Sequence, residues 1–493
     1  MTVVDDAVLV AYLLFMLSVG FYYSRRARTN EDYLLGGRGM SPVMVGLSLF
    51  ATLASTLTYL ALPGEAIKHG PMIFAQFVAL PFSWLVVGWL LIPRIMSQNV
   101  TTGYELLESR LGLTGRLLGA GVFVVLRVIW MAAILYATTD KVIVPIFELD
   151  SSWTPVLCTV LGAMTLIYTV QGGFKAVVLT DALQAMLMLA GAFATILMVT
   201  IALGGVEPWW PTTWPEHWQQ PVFWPDPAVR LTFVGAGINM FVWMTCTAGS
   251  DQMAVQRYLA TRDAPAARRL FAVNLWANVL LSCLLGLAGV AVFGYFLHHP
   301  EMLTPGKALL TDADQLFPRF IVVGLPAGLT GLVVAALLSA AMSSLSSGLN
   351  SSSAVIVTDL LGRLFDVHRS QGREVRLARL SAAFVGIIAV GLSTVIGYLP
   401  GNLLELCFKL VNLLTAPLFI LFFLALFVPW ATPLGAILGV ATAIVVAVEV
   451  AYVQDLLLWM APASLLAGML AGILGSLIPV PGRTSIGPRH ESA

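Results

Sequence analysis

The sequence predicts an all-α membrane protein of about thirteen transmembrane helices, with the N-terminus outside and the C-terminus inside. Three observations predict it. Of the 493 residues, 58% are hydrophobic and only 11% are charged, with a mean hydropathy of +0.88. A soluble chain of this length carries roughly a quarter charged residues. Apolar runs of bilayer-spanning length, about 20 residues each, recur with mostly short joints between them. Lys and Arg then gather on alternate joints, as the positive-inside rule requires.

The spans follow in order. The first, 6–23, is preceded by Asp5 and Asp6 rather than by a basic region, and no small-residue cleavage site follows it. It is therefore expected to be a retained helix rather than a signal peptide. Spans at 42–62, 70–93, 116–147, 152–170 and 178–204 come next. The joint at 205–231 is long and holds Trp209, Trp210, Trp214, Trp218 and Trp224 among six Pro, a composition suited to a membrane interface. Further spans are expected at 232–254, 268–297, 326–360, 377–398, 402–428, 432–453 and 459–480. Nineteen Lys and Arg fall on the inner joints, Arg257 and Arg116 among them, against five outside. Arg127 and Lys409 stay within the membrane. The whole reads as one transmembrane domain over 1–481 with a polar cytoplasmic tail at 482–493.

Two spans are alike in an informative way. Leu47 to Thr58 packs hydroxyls into the middle of the second span, and Gly235 to Asp251 loosens the seventh with Gly and Thr. Five spans separate them, the pattern of two inverted repeats that each open with a broken helix facing a central site. Small residues that permit tight helix packing give the same composition.

Other function classes are disfavoured. The formal net charge of zero supplies no basic surface for nucleic acid. Cys158, Cys246, Cys283 and Cys407 are scattered without CxxC spacing, so neither a disulfide frame nor a zinc site is implied. No P-loop lysine is present for ATP-driven pumping, and the six His lie in expected joints or tails. The chain reads as a non-enzyme.

Residues fit for chemistry lie at membrane depth. In the ninth span Ser343, Ser346 and Ser347 stand at i, i+3 and i+4, with Ala340 one turn earlier. Uncharged oxygens on one helix face suit a hard monovalent cation; serines bonding back to their own helix, or joining neighbours, are the structural alternative. Asp181 opens the sixth span with Gln184 on the same face. A buried acid is costly unless paired and is functional by default, against a plain helix N-terminal carboxylate. Depth along the spans brings Asp181 and Ser343 toward one ion. Lys409 is either a ligand for a substrate carboxylate or hydroxyl, or the partner of Glu405 at i−4. Arg127 faces the same choice, with a helix end as its other partner.

Gly172-Gly-Phe-Lys-Ala-Val-Val-Leu-Thr-Asp-Ala-Leu-Gln184 resembles the signature of the sodium:solute symporter family. Asp251-Gln252, Val255 to Leu259, Ala340 to Ser344 and Asn350-Ser351 are similar to it as well, and the likeness runs from Asp32 past Pro417. The resemblance implies a LeuT-type inverted-repeat bundle, with core repeats at about 42–204 and 232–428 and extra helices at 6–23 and 432–480. It implies sodium-coupled symport of a small organic solute in a bacterial inner membrane or plasma membrane, with the lipid bilayer and the solute as partners and no obligatory protein partner. A first sodium ion would be held by Ala51, Ala54, Ala340, Ser343 and Ser344, and a second by Asp181, Ser343, Ser346 and Ser347, two ions being favoured. Substrate contacts would come from Ser55, Thr58, Gln76, Trp243, Thr247 and Lys409.

Two departures bear on the substrate. Trp130 stands where sialic acid transporters of the family carry an arginine, with Arg127 one turn away, and Lys409 stands where sugar transporters carry a neutral amide. A lysine there favours an anionic solute, such as a monocarboxylate or a sialic-acid-like compound. Sugar or amino-acid symport, a non-transporting sensor, and proton in place of sodium coupling are the alternatives.

Overall fold

A computed structural model describes residues 1–24, 30–98, 100–226, 229–364, 371–396, 403–454 and 456–479. The tail expected at 482–493 lies outside the described residues, as does the side chain of Glu405. The described residues form helices and connecting turns. Single-turn pieces and the 3₁₀ helix Gly70–Val78 aside, the helices are α1 (Val3–Ser24), α2 (Asn30–Leu35), α3 (Pro42–Leu53), α4 (Thr56–His69), α5 (Ala79–Val86), α6 (Ile92–Met96) and α7 (Glu105–Thr138). They continue as α8 (Thr154–Ala202), α9 (Phe233–Ser250), α10 (Gln252–Leu259), α11 (Ala264–His298), α12 (Ala313–Val323) and α13 (Leu329–Val355). The last four are α14 (Gln371–Ile396), α15 (Leu403–Phe427), α16 (Pro433–Val448) and α17 (Leu457–Gly475).

Among the described residues nine helical segments are long and apolar enough to span a membrane, and two shorter apolar ones, Pro42–Leu53 and Asn412–Phe427, accompany them. Segment Thr56–Met96 joins the end of one expected span to the next, and Ser151–Ala202 contains two expected spans in one run. The second run bends at Gly173, whose φ of 64° lies in the left-handed region. A Cβ there would sit 2.7 Å from the Tyr33 ring and 3.0 Å from its carbonyl, so both the turn and the close approach require glycine.

The two helix breaks fall inside the two spans singled out by composition. Ala54 and Ser55 are extended, separating α3 from α4, and the Ser55 hydroxyl caps α4 by accepting from the Thr58 amide at 3.3 Å. Asp251 is extended between α9 and α10, and its Oδ1 accepts from the Met253 amide at 2.9 Å. Ser and Asp are favoured at such caps because their oxygens satisfy amides that the helix start leaves unpaired.

Among the nine candidate spans the one carrying the serine-rich α13 is the most enclosed: 89% of its most apolar 18-residue window is buried. It packs against α8, α7, α3 and α1. Small side chains admit this crowding, since helix association in lipid rests on close van der Waals contact rather than on hydrophobic expulsion. Two large apolar clusters meet along α3, where Leu49 belongs to one and Phe50 and Ala51 to the other. The hydroxyls of Ser48 and Thr52 fall at that junction, both buried.

Candidate cation and solute site

The end of α3 leaves carbonyls without helical partners. The Ala54 amide takes that of Phe50, and α13 supplies donors to the next two. Ser343 Oγ lies 2.8 Å from the Ala51 carbonyl and 3.2 Å from that of Ala340, and Ser344 Oγ lies 3.0 Å from the Thr52 carbonyl. Ala51, Ala54, Ala340, Ser343 and Ser344 are all buried, with Ala51, Ala340 and Ser343 at 0% exposure. Three of the five expected first-ion ligands, Ala51, Ala340 and Ser343, thus share one cluster of uncharged oxygens between α3 and α13. Those oxygens fit a monovalent cation, which would bind their lone pairs with the Ser343 O–H turned away from it. Ser344 faces the neighbouring Thr52 carbonyl.

A second cluster lies one turn further along α13. Ser347 Oγ donates to Asp181 Oδ2 at 3.0 Å and Ser346 Oγ to Asp181 Oδ1 at 3.3 Å. Ser48 Oγ donates to Oδ2 at 2.7 Å. Ser343 does not join Asp181: its hydroxyl is turned to the first cluster. Gln184 donates to the Tyr12 hydroxyl at 2.9 Å.

Arg257 departs from the sequence expectation. Placed on an inner joint by charge alternation, it is only 1% exposed and reaches Asp181 Oδ2 at 2.9 Å. A positive-inside count assigns an arginine between two apolar runs to the joint; the carboxylate on α8 that draws this one inward is visible only when the helices are assembled. Arg116, counted with the same loops, is likewise buried, bonded to Asp359 at 2.7 Å and Glu108 at 2.6 Å.

Beside the helix breaks lies a cavity of about 790 Å³. Ser55, Thr58, Gln76, Trp243, Thr247 and Lys409 all line it, together with Arg127, Trp130, Asn239 and Asp251. The wall continues to Leu231, Leu457 and Leu458, beside the Trp-rich joint. Arg127 Nη2 bonds Asp251 Oδ2 at 2.6 Å, while its buried Nε has no hydrogen-bond partner. The helix-end partner anticipated for Arg127 is therefore the cap of α10. Lys409 Nζ sits 5.3 Å from the centre of the Tyr452 ring. Among the described residues no group of three or more His, Cys, Asp or Glu is assembled to hold a metal.

The model of the "Sodium:solute symporter family" matches residues 33–443. The chain belongs to the sodium:solute symporter family. As a member it is a multi-pass membrane transporter and not an enzyme. Among relatives of this symporter, a sodium/sialic acid symporter from Proteus mirabilis is 30% identical over 78% of this chain and 77% of its own. A sodium-dependent multivitamin transporter from Oryctolagus cuniculus is 32% identical over 88% of this chain and 68% of its own. A solved substrate-bound, outward-open Na⁺-coupled sialic acid symporter superposes with a TM-score of 0.83 at 26% identity, covering 96% of this chain and 98% of that one. The nucleobase-cation symporter Mhp1 shares the fold alone, at a TM-score of 0.59 and 13% identity, covering 90% of this chain and 93% of its own.

Missed in the sequence were Arg257, Ser48 and Thr52 as members of the Asp181 cluster. The two hydroxyl residues sit in the same hydroxyl-bearing run as Ser55 and Thr58, so a signal was present. Arg257 gave none beyond its place in the motif running from Val255 to Leu259.

Proposed function

We propose that this symporter couples inward movement of sodium to uptake of a small organic anion. The observation that carries the reading is the Ser343–Ala51–Ala340 oxygen cluster at the α3 break. It stands next to the cavity through Thr52 and Ala54, which line that cavity. The solute is proposed to occupy the cavity, and a sodium ion the cluster. An ion there ties α3 to α13 and fixes the break that shapes the cavity wall, so ion and solute each tighten the other by one factor. The inward sodium gradient is adequate as a drive, since each charge gains about 2.3 kcal/mol per 100 mV.

An anion is favoured by two cationic side chains, Arg127 and Lys409, that line the cavity. A monocarboxylate or sialic-acid-like solute meets these terms. A sugar would meet Lys409 without using its charge.

Thirteen crossings, an outer N-terminus, and repeats at about 42–204 and 232–428 remain parts of this proposal. The paired breaks at Ala54–Ser55 and Asp251 support them. In the state described the cavity reaches toward the joint at 205–231, proposed to be outside. On the other side α10 is bonded to its surroundings: Gln252 Oε1 accepts from the Gly103 amide, and Gln256 donates to Asn350. Alternating access then requires α10 to part from those groups.

The test is thermal stability of the purified protein across a panel of carboxylates, sugars and amino acids, in sodium and in choline. A ligand of the folded state raises the midpoint by mass action. A carboxylate that stabilises only in sodium is the expected result. Equal stabilisation in choline removes sodium coupling, and leaves a proton-coupled carrier or a sensor.

A further inference from the structure

The oxygens around Asp181 already hold a cation. Arg257 projects from α10 with its Nη2 2.9 Å from Asp181 Oδ2, 2.6 Å from Ser347 Oγ, 2.6 Å from Thr52 Oγ1 and 2.8 Å from Ser48 Oγ. Its Nε reaches Ser48 Oγ at 3.0 Å, and its Nη1 donates to the Met253 carbonyl at 2.8 Å. The Phe174 ring lies 5.9 Å from the guanidinium carbon. The side chain is fixed at every nitrogen and closed to solvent.

Two of the four groups expected to hold a second sodium ion, Asp181 and Ser347, are thus donated to by this guanidinium. A third, Ser343, is turned away from Asp181 to the first cluster, beside the Ala51 and Ala340 carbonyls. A guanidinium has five N–H donors and no acceptor, so it takes up lone pairs of Asp181 Oδ2 and Ser347 Oγ that a metal ion there would need. It also sets a fixed positive charge against any ion placed there, in a region of low dielectric where like charges repel strongly. The residues present do not fit a second sodium ion.

We propose that Arg257 is the resident cation of the Asp181 cluster, and that this symporter accordingly binds one sodium ion rather than two. The inference rests on the first-ion reading given above. The compensating charge is tethered to α10, the helix that alternating access requires to move. Charge balance at Asp181 is therefore carried by the protein itself, and the ion gradient contributes one charge per cycle.

The test is equilibrium binding of radiolabelled sodium to the purified full-length protein, counted as ions per chain, with no solute needed. The wild type is expected to saturate at one ion. Arg257→Ala frees the carboxylate and the hydroxyls, and is expected to saturate at two ions; Arg257→Lys keeps a cation in place and stays at one. Ser346→Ala is the control that leaves the guanidinium alone, because Ser346 bonds Asp181 Oδ1 and the Ser343 carbonyl rather than Arg257. It is expected to leave both the count and the half-saturating concentration within twofold. Two ions in the wild type overturn the inference even if Arg257→Ala fails to fold, and a fall to one in Ser346→Ala assigns the second to the Asp181 cluster. No saturable sodium binding in the wild type overturns instead the first-ion reading on which it stands.

Discussion

The Ser343 hydroxyl on α13 donates to the Ala51 carbonyl on α3 at 2.8 Å, across 292 residues of sequence. A transmembrane helix that breaks at Ala54 and Ser55 leaves this carbonyl free, and a serine one helix diameter away is placed to answer it. The same two oxygens are the core of the proposed sodium site.

Removing one of them gives the first prediction. Ser343→Ala keeps the fold, since the helix backbone is unaltered, but takes one oxygen from the ion. Loss of a hydrogen-bonding group to a charge costs about 1.5–3 kcal/mol, which raises the half-saturating sodium concentration roughly tenfold or more. Solute uptake by proteoliposomes, titrated with sodium, reads this directly; an unchanged titration curve counts against the site.

The Arg127–Asp251 pair is 7% and 5% exposed at its side chains. Breaking a buried pair leaves a lone charge and costs about 3–5 kcal/mol. Arg127→Ala is therefore expected to lower the unfolding midpoint and abolish uptake of an anion. The double change with Asp251→Ala should recover stability but not transport. If the double variant transports normally, Arg127 is structural only.

Lys409 lines the same cavity but is not sealed within it. Lys409→Gln is expected to weaken a carboxylate solute at least roughly tenfold, while its uncharged amide analogue is affected little, because an ion–carboxylate contact is stronger than a neutral one. Competition of both compounds against the transported solute measures the difference. Equal losses would mean that Lys409 acts through shape rather than charge.

Gly173 holds the bend of α8 at φ 64°, with the Tyr33 carbonyl 3.0 Å from where a Cβ would stand. Gly173→Ala should destabilise by about 1–3 kcal/mol through backbone strain, visible as a lowered midpoint in detergent with or without sodium. A midpoint within a degree of wild type refutes the strain.

Orientation can be read with single cysteines. Trp224 is 72% exposed, and the Arg262 side chain is 78% exposed. In intact cells an impermeant maleimide is expected to label Trp224→Cys and to spare Arg262→Cys until the membrane is opened. The reverse pattern inverts the proposed topology.

Much of the site is legible along the chain because helical spacing is local. Ser343 gathers with Ser346 and Ser347 on one side of α13 by its i, i+3 and i+4 spacing, and Asp181 stands out because an acid in an apolar run is rare. Arg257 is legible only as a loop arginine: it lies in a short polar stretch, Val255-Gln-Arg-Tyr-Leu259, that no hydropathy window assigns to a membrane interior. Its burial depends on a carboxylate 76 residues earlier. Arg116 is hidden for the same reason, its partner Asp359 lying 243 residues later.

The sequence by itself determined that this chain is a helical membrane protein, which two of its spans are loosened by small and hydroxyl residues, and that serines gather along one side of α13. Those properties follow from composition, capping and a period of 3.6 residues, all of which act over a few turns. Only the tertiary structure decided which charge answers Asp181. Pairing between helices is set by their packing, and in a medium where an unpaired charge is so costly, the partner that arrives in space, here Arg257, determines what else can bind.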